Sequence, residues 1–132
     1  MQDRTLDDVA RPGTPTHLRG WFFARFPALL DVEAARRPSA PAVEAALRAA
    51  GLGAVRGTAL EETRRVYANA REVTADLRAR TGRSILHELT DRELADLAAY
   101  IESRLPAEGP IHESDHWTVW SARAAGPSPR RG

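Results

Sequence analysis

The run His116-Trp117-Thr118-Val119-Trp120-Ser121-Ala122-Arg123 constrains this chain most, because there aromatic, β-branched and alternating residues occur together. In a strand, Trp117, Val119 and Ser121 point one way and His116, Thr118, Trp120 and Ala122 the other, so each face carries a large aromatic. Such a strand needs cover on both sides. Most of the remaining chain reads as helices able to provide it.

With 132 residues the chain has room for one domain. It has no cysteine, which excludes disulfides, thiolate nucleophiles and cysteine-based zinc sites. The 19 basic and 18 acidic residues are interspersed, which argues against non-specific nucleic-acid binding. Every basic residue is arginine, so no lysine can form a Schiff base or serve a phosphate loop. With the abundant alanine, this bias reflects a GC-rich coding sequence rather than a ligand. Residues 1–14 lack the apolar core of a signal peptide, and no later stretch approaches a membrane span. A cytoplasmic protein is the expectation.

Residues 1–13 read as a flexible arm ending in the turn signal Pro12-Gly13. Thr14 as cap, Pro15 in the first turn, and Leu18, Trp21, Phe22 and Phe26 at helical spacing predict a helix that Pro27 stops. Phe23 lies off that stripe. This helix is therefore either buried between two layers or lines a ligand pocket. Residues 28–37 read as a connector anchored by Leu29, Leu30 and Val32. Pro38 and Ser39 then introduce a helix bearing Val43, Ala46, Leu47 and Ala50, with Gly51 as its left-handed cap. Residues 54–60 predict a short strand in which Gly57 marks a weakness or a bulge. Asn69 and Glu72 have capping-box spacing ahead of Val73 and Leu77, and Gly82 ends that helix. Residues 83–89 fit a short helix, and Thr90 with Glu93 caps another that carries Leu94, Leu97, Ala98, Ile101 and Leu105. Residues 124–132 read as a disordered tail. The order implies an α+β fold, a small helix-rich layer on a short antiparallel sheet of two strands joined by a long helical excursion.

No self-contained catalytic motif stands out. The four histidines have no metal-ligand spacing. His112, Glu113, Asp115 and His116 cluster, but in what reads as a solvated loop before the strand. Glu61-Glu62 and the carboxylates between Asp91 and Asp96 fit helix starts and exposed faces. Gly51-Leu52-Gly53 follows a helix and precedes a strand, the reverse of a phosphate-cradling turn. Arg83, Ser84 and His87 share one short segment, where Arg83 and His87 either face a common cavity or form the polar face of a surface helix.

The order of elements, with Trp21-Phe22-Phe23-Ala24-Arg25-Phe26-Pro27, Pro38-Ser39 through Ala50-Gly51-Leu52, Arg83-Ser84-Ile85-Leu86 through Asp91-Arg92-Glu93-Leu94, and Trp117-Thr118-Val119-Trp120, resembles the C-terminal half of class I S-adenosylmethionine-dependent methyltransferases of the bacterial small-molecule type. The resemblance covers residues 14–123. It implies the C-terminal part of a Rossmann-like fold, with the last strand antiparallel and lying between the strand at residues 54–60 and a parallel strand from the other half. The family's glycine-rich loop, its acidic ribose ligand and the groups after its fourth strand have no counterpart here, so the resemblance implies no S-adenosylmethionine site in this chain alone. It implies instead the substrate-recognition half of a split or truncated methyltransferase, with Trp21, Phe22, Arg25, Phe26, Arg83, Ser84 and His87 as pocket candidates. The alternative is a non-catalytic or repurposed small-molecule-binding or interaction protein. The strand edge stripped of its partner should then recruit a second copy or a chain bearing the missing half, through Trp117 or Trp120 and the aromatic helix.

Overall fold

The computed structural model describes residues 1–124. The tail expected over residues 124–132 lies outside it, except for Ala124, which ends the last strand. The strands are β1 (Gln2–Asp3), β2 (Leu52–Tyr67) and β3 (Ile111–Ala124). The helices are α1 (Leu6–Val9), α2 (Arg19–Arg25), α3 (Ala28–Arg36), α4 (Ala40–Ala49), α5 (Ala70–Arg78) and α6 (Asp91–Glu102), with a 3-10 helix at Ser84–Glu88 between the last two. The architecture is α+β. All three strands form one antiparallel sheet in the order β1-β3-β2.

The helices that carry their own caps form where expected. Ser39 accepts from the Ala42 N–H to start α4, and Gly51 follows it at φ +88. Asn69 caps α5, while the Thr90–Glu93 box closes at the start of α6. The inner faces of α5 and α6 meet α2, α3 and the ends of β2 and β3 in a core that includes Phe22, Leu77, Ile85, Leu97, Ile101 and Ile111, while α4 packs against β2. No helix among the described residues is long and apolar enough to cross a membrane.

Four expectations are corrected. Residues 1–13 are not a loose arm: Thr5 and Asp8 form a capping box around α1, and Thr5, Asp8 and Val9 are buried. One Asp8 carboxylate oxygen accepts from the Thr5 N–H (2.9 Å) and from the Thr118 hydroxyl (2.9 Å), which ties α1 to β3. Thr14 does not cap a helix. Its hydroxyl accepts from the Thr16 and His17 N–H groups in a turn, and α2 begins only at Arg19. Gly20 then backs onto that turn so closely that a Cβ would lie 2.1 Å from the Gly13 nitrogen. The connector 28–37 is the helix α3, whose buried Glu33 takes an ion pair from Arg37 at 2.6 Å. Finally, β2 and β3 are far longer than residues 54–60 and 116–123, because each supplies the other's backbone bonds along a register from Leu52↔Ala124 to Tyr67↔Ile111. The bulges fall between Gly53 and Arg56 and between Thr63 and Arg65. Gly57 pairs regularly opposite Trp120, and a Cβ there would stand 3.0 Å from the indole.

The edge of β3 expected to be bare is partly taken. Gln2 pairs with Val119 and Asp3 with Thr118, the Trp120 N–H donates to the Met1 carbonyl, and the Ser114 N–H donates to the Thr16 carbonyl. Trp120 is buried within the chain at 6% exposure. Among the described residues Met1 and Val66 are the large apolar side chains left exposed. The exposed aromatic strand that was the physical ground for a homodimer is thus absent.

Candidate functional site

The seven residues carried over as pocket candidates do not line one cavity. Phe22 is fully buried in the core, and Trp21 and Phe26 are half-buried at its margin, where the Trp21 ring fills the space beside Gly13. Arg25 is exposed and forms a two-pronged ion pair with Asp96, both bonds at 2.9 Å. Ser84 and His87 are exposed, and Ser84 accepts from Arg36. Arg83 points inward, 5.8 Å from the Phe22 ring centre. Arg83 and His87 therefore face opposite ways.

What gathers around Arg83 instead is a buried ionic network that only the tertiary fold assembles. Arg83 donates to Glu113 and, at 3.3 Å, to Asp76. Arg64 reaches Glu113 at 3.0 Å and Arg65 reaches Asp76 at 2.7 Å. The Tyr67 hydroxyl donates to Asp76 at 2.7 Å. The bulge at Thr63/Arg65 lets consecutive arginines serve both carboxylates. Burial works against the Asp76 carboxylate, but the Tyr67 hydroxyl, Arg83 and Arg65 overcome it and hold its pKa below the ordinary value. Burial likewise opposes the Arg83 charge, while Glu113 more than restores it and raises the guanidinium pKa. A carboxylate held as Asp76 is accepts hydrogen bonds and does not shuttle protons near neutrality. The network fixes the α5–β2–β3 junction.

Glu113 was placed by sequence in a solvated loop; it is a buried residue of β3. The sequence does carry a signal for this: Ile111, Glu113, Asp115 and Trp117 alternate in step with the aromatic strand.

On the other face, His17 and His116 meet edge to face with centroids 5.1 Å apart. They border a cleft of about 330 Å³ shared with Arg11, Thr14, Thr16 and Glu61. A His17 ring nitrogen lies 3.3 Å from the Val9 carbonyl. Burial lowers the His17 pKa below 6.5; the Val9 contact opposes this, and His116, Arg19 and Arg11 add to it. The unfolded chain therefore takes up the proton first. The stability due to neutral His17 is fully present above its unfolded value and is lost as pH falls through the lower folded one. The expected result is a urea midpoint that drops between about pH 7.5 and about pH 5, with a smaller drop in His17→Gln. An equal drop in both proteins would assign the effect to other groups.

Comparison with protein-family models, with curated proteins and with solved structures finds no match to this chain.

Proposed function

We propose that the chain is the substrate-recognition half of an S-adenosylmethionine-dependent methyltransferase, active only when a second chain supplies the cofactor site. The observation that carries this reading is the sheet. The last strand, β3, is central and antiparallel to both neighbours, and a helical excursion separates it from β2. That is the placement the resemblance implies for the family's terminal strand, with Gln2–Asp3 standing where the strand of the other half would lie. A second copy of the chain is the alternative partner at the remainder of that edge.

A non-catalytic binding protein is the second reading. It is favoured by the inward turn of Arg83 into the ionic network, which takes that residue away from any acceptor pocket.

Two measurements separate these readings. Calorimetric titration of the chain alone with S-adenosylmethionine is expected to show no binding tighter than about 100 µM, roughly −5.5 kcal/mol. Saturable binding would place a complete cofactor site in this chain. If a neighbouring reading frame encodes a chain carrying the glycine-rich loop, transfer of labelled methyl groups is expected once that chain is added. No transfer from the mixture would leave the binding protein as the reading.

A further inference from the structure

The ionic network continues toward the N-terminal segment, and there, among the described residues, arginines outnumber carboxylates. Six arginines, Arg4, Arg19, Arg37, Arg64, Arg65 and Arg83, share this region with four carboxylates, Glu33, Asp76, Glu113 and Asp115. Each carboxylate is taken: Asp115 by Arg4 at 3.1 Å, Glu33 by Arg37, Glu113 by Arg64 and Arg83, and Asp76 by Arg65 and Arg83. Arg19 is 7% exposed, yet its Nε is buried without a hydrogen-bond partner and no ion pair among the described residues includes it. Burial first, and then the charges of Arg4 and Arg83, pull its pKa down to about 10, so it remains a cation at neutral pH.

Among the described residues, the unpaired buried side-chain atoms of this region all have one polarity. They are the Nε atoms of Arg4, Arg19 and Arg83 and the Nε1 of Trp117, whose ring centre lies 4.2 Å from the Arg4 guanidinium carbon. All are donors. Water can accept from an N–H but brings no charge, whereas an oxyanion supplies both acceptors and the missing negative charge. The planar fork of an arginine matches the two oxygens of a carboxylate or phosphate.

We propose that Arg19, with Arg4 and Arg83 beside it, is the anchor of a binding site for a small oxyanion, the carboxylate or phosphate group of a small molecule. The site does not depend on methyl transfer. A ligand that binds the folded chain alone raises its unfolding temperature saturably.

The experiment is thermal unfolding of the full chain in inorganic phosphate and in acetate, each against sodium chloride at equal ionic strength, for the wild type and Arg19→Met. A saturable rise over chloride in the wild type that Arg19→Met lacks is the expected result. A rise with phosphate alone assigns a phosphate group, with acetate alone a carboxylate, and with both a general oxyanion site. No rise over chloride with either anion, or an equal rise in Arg19→Met, overturns the proposal. Should Arg19→Met fail to fold, Arg19→Lys keeps the charge without the fork and is expected to bind the preferred anion roughly tenfold more weakly. Unchanged affinity in Arg19→Lys would also overturn it.

Discussion

Replacing Arg83 by methionine is expected to lower the unfolding free energy by about 3–5 kcal/mol, the usual cost of removing one partner from a buried ion pair. Arg83 is 1% exposed and bridges Asp76 and Glu113, both of which stay buried when it goes. Arg64 would still reach Glu113, and Arg65 and Tyr67 would still reach Asp76, which keeps the loss within that range. A domain of this size has a total stability of about 5–15 kcal/mol, so the variant stands near the edge of folding. Adding Glu113→Met is expected to restore much of the loss, because it removes the stranded carboxylate and fills the same space with apolar atoms. Urea unfolding followed by circular dichroism measures both. A loss below about 1 kcal/mol in Arg83→Met would mean that water or rearranged side chains satisfy the carboxylates. Acid should reveal the same network. The folded pKa of Asp76 lies below its ordinary 3.8, so its contribution is present above that value and disappears as pH falls through the lower folded one.

Trp120→Ala is expected to cost about 3–5 kcal/mol through the cavity it leaves. The indole is buried against Gly57, whereas the bond from the Trp120 backbone N–H to the Met1 carbonyl survives the substitution. Protein concentration distinguishes this from the role that sequence suggested. A side chain that stabilises the fold of one chain lowers the unfolding midpoint equally at all concentrations, whereas an interface residue makes the midpoint concentration-dependent. A midpoint that rises with wild-type concentration and ceases to do so in Trp120→Ala would return Trp120 to an interface between chains.

Local chemistry was legible where a residue acts on backbone a few positions away. Ser39, Asn69 and Thr90 each bond the N–H of a first-turn residue, and Gly51 adopts positive φ, so the starts of α4, α5 and α6 and the end of α4 could be read directly, whereas α5 ends at Arg78 and the first left-handed residue after it is Arg80 rather than Gly82. The Thr5–Asp8 box carried the same kind of signal for α1. The helix it caps is only four residues long, too short to show a helical periodicity. The aromatic alternation of residues 116–123 likewise predicted β3 and its need for cover on two faces.

What covers that strand, how far it runs and where its charges go were decided by tertiary structure. Glu61 to Tyr67 have no alternating apolar pattern, since most of that stretch is exposed on both faces, and it is a strand because β3 supplies its hydrogen-bonding partner. Arg64, Arg65, Asp76, Arg83 and Glu113 are spread over almost fifty residues, and any of them alone reads as ordinary surface charge. Burial of such groups is tolerable only when partners arrive together, a condition met by packing α5, the 3-10 segment and the two long strands at one place. Sequence therefore determined the caps, the helices they start and the presence of the central strand. Only the fold decided that Arg83 turns inward, that Gln2 and Asp3 join the sheet, and that Arg19 is buried with no counter-ion among the described residues, because these follow from long-range contacts with no local periodicity to announce them.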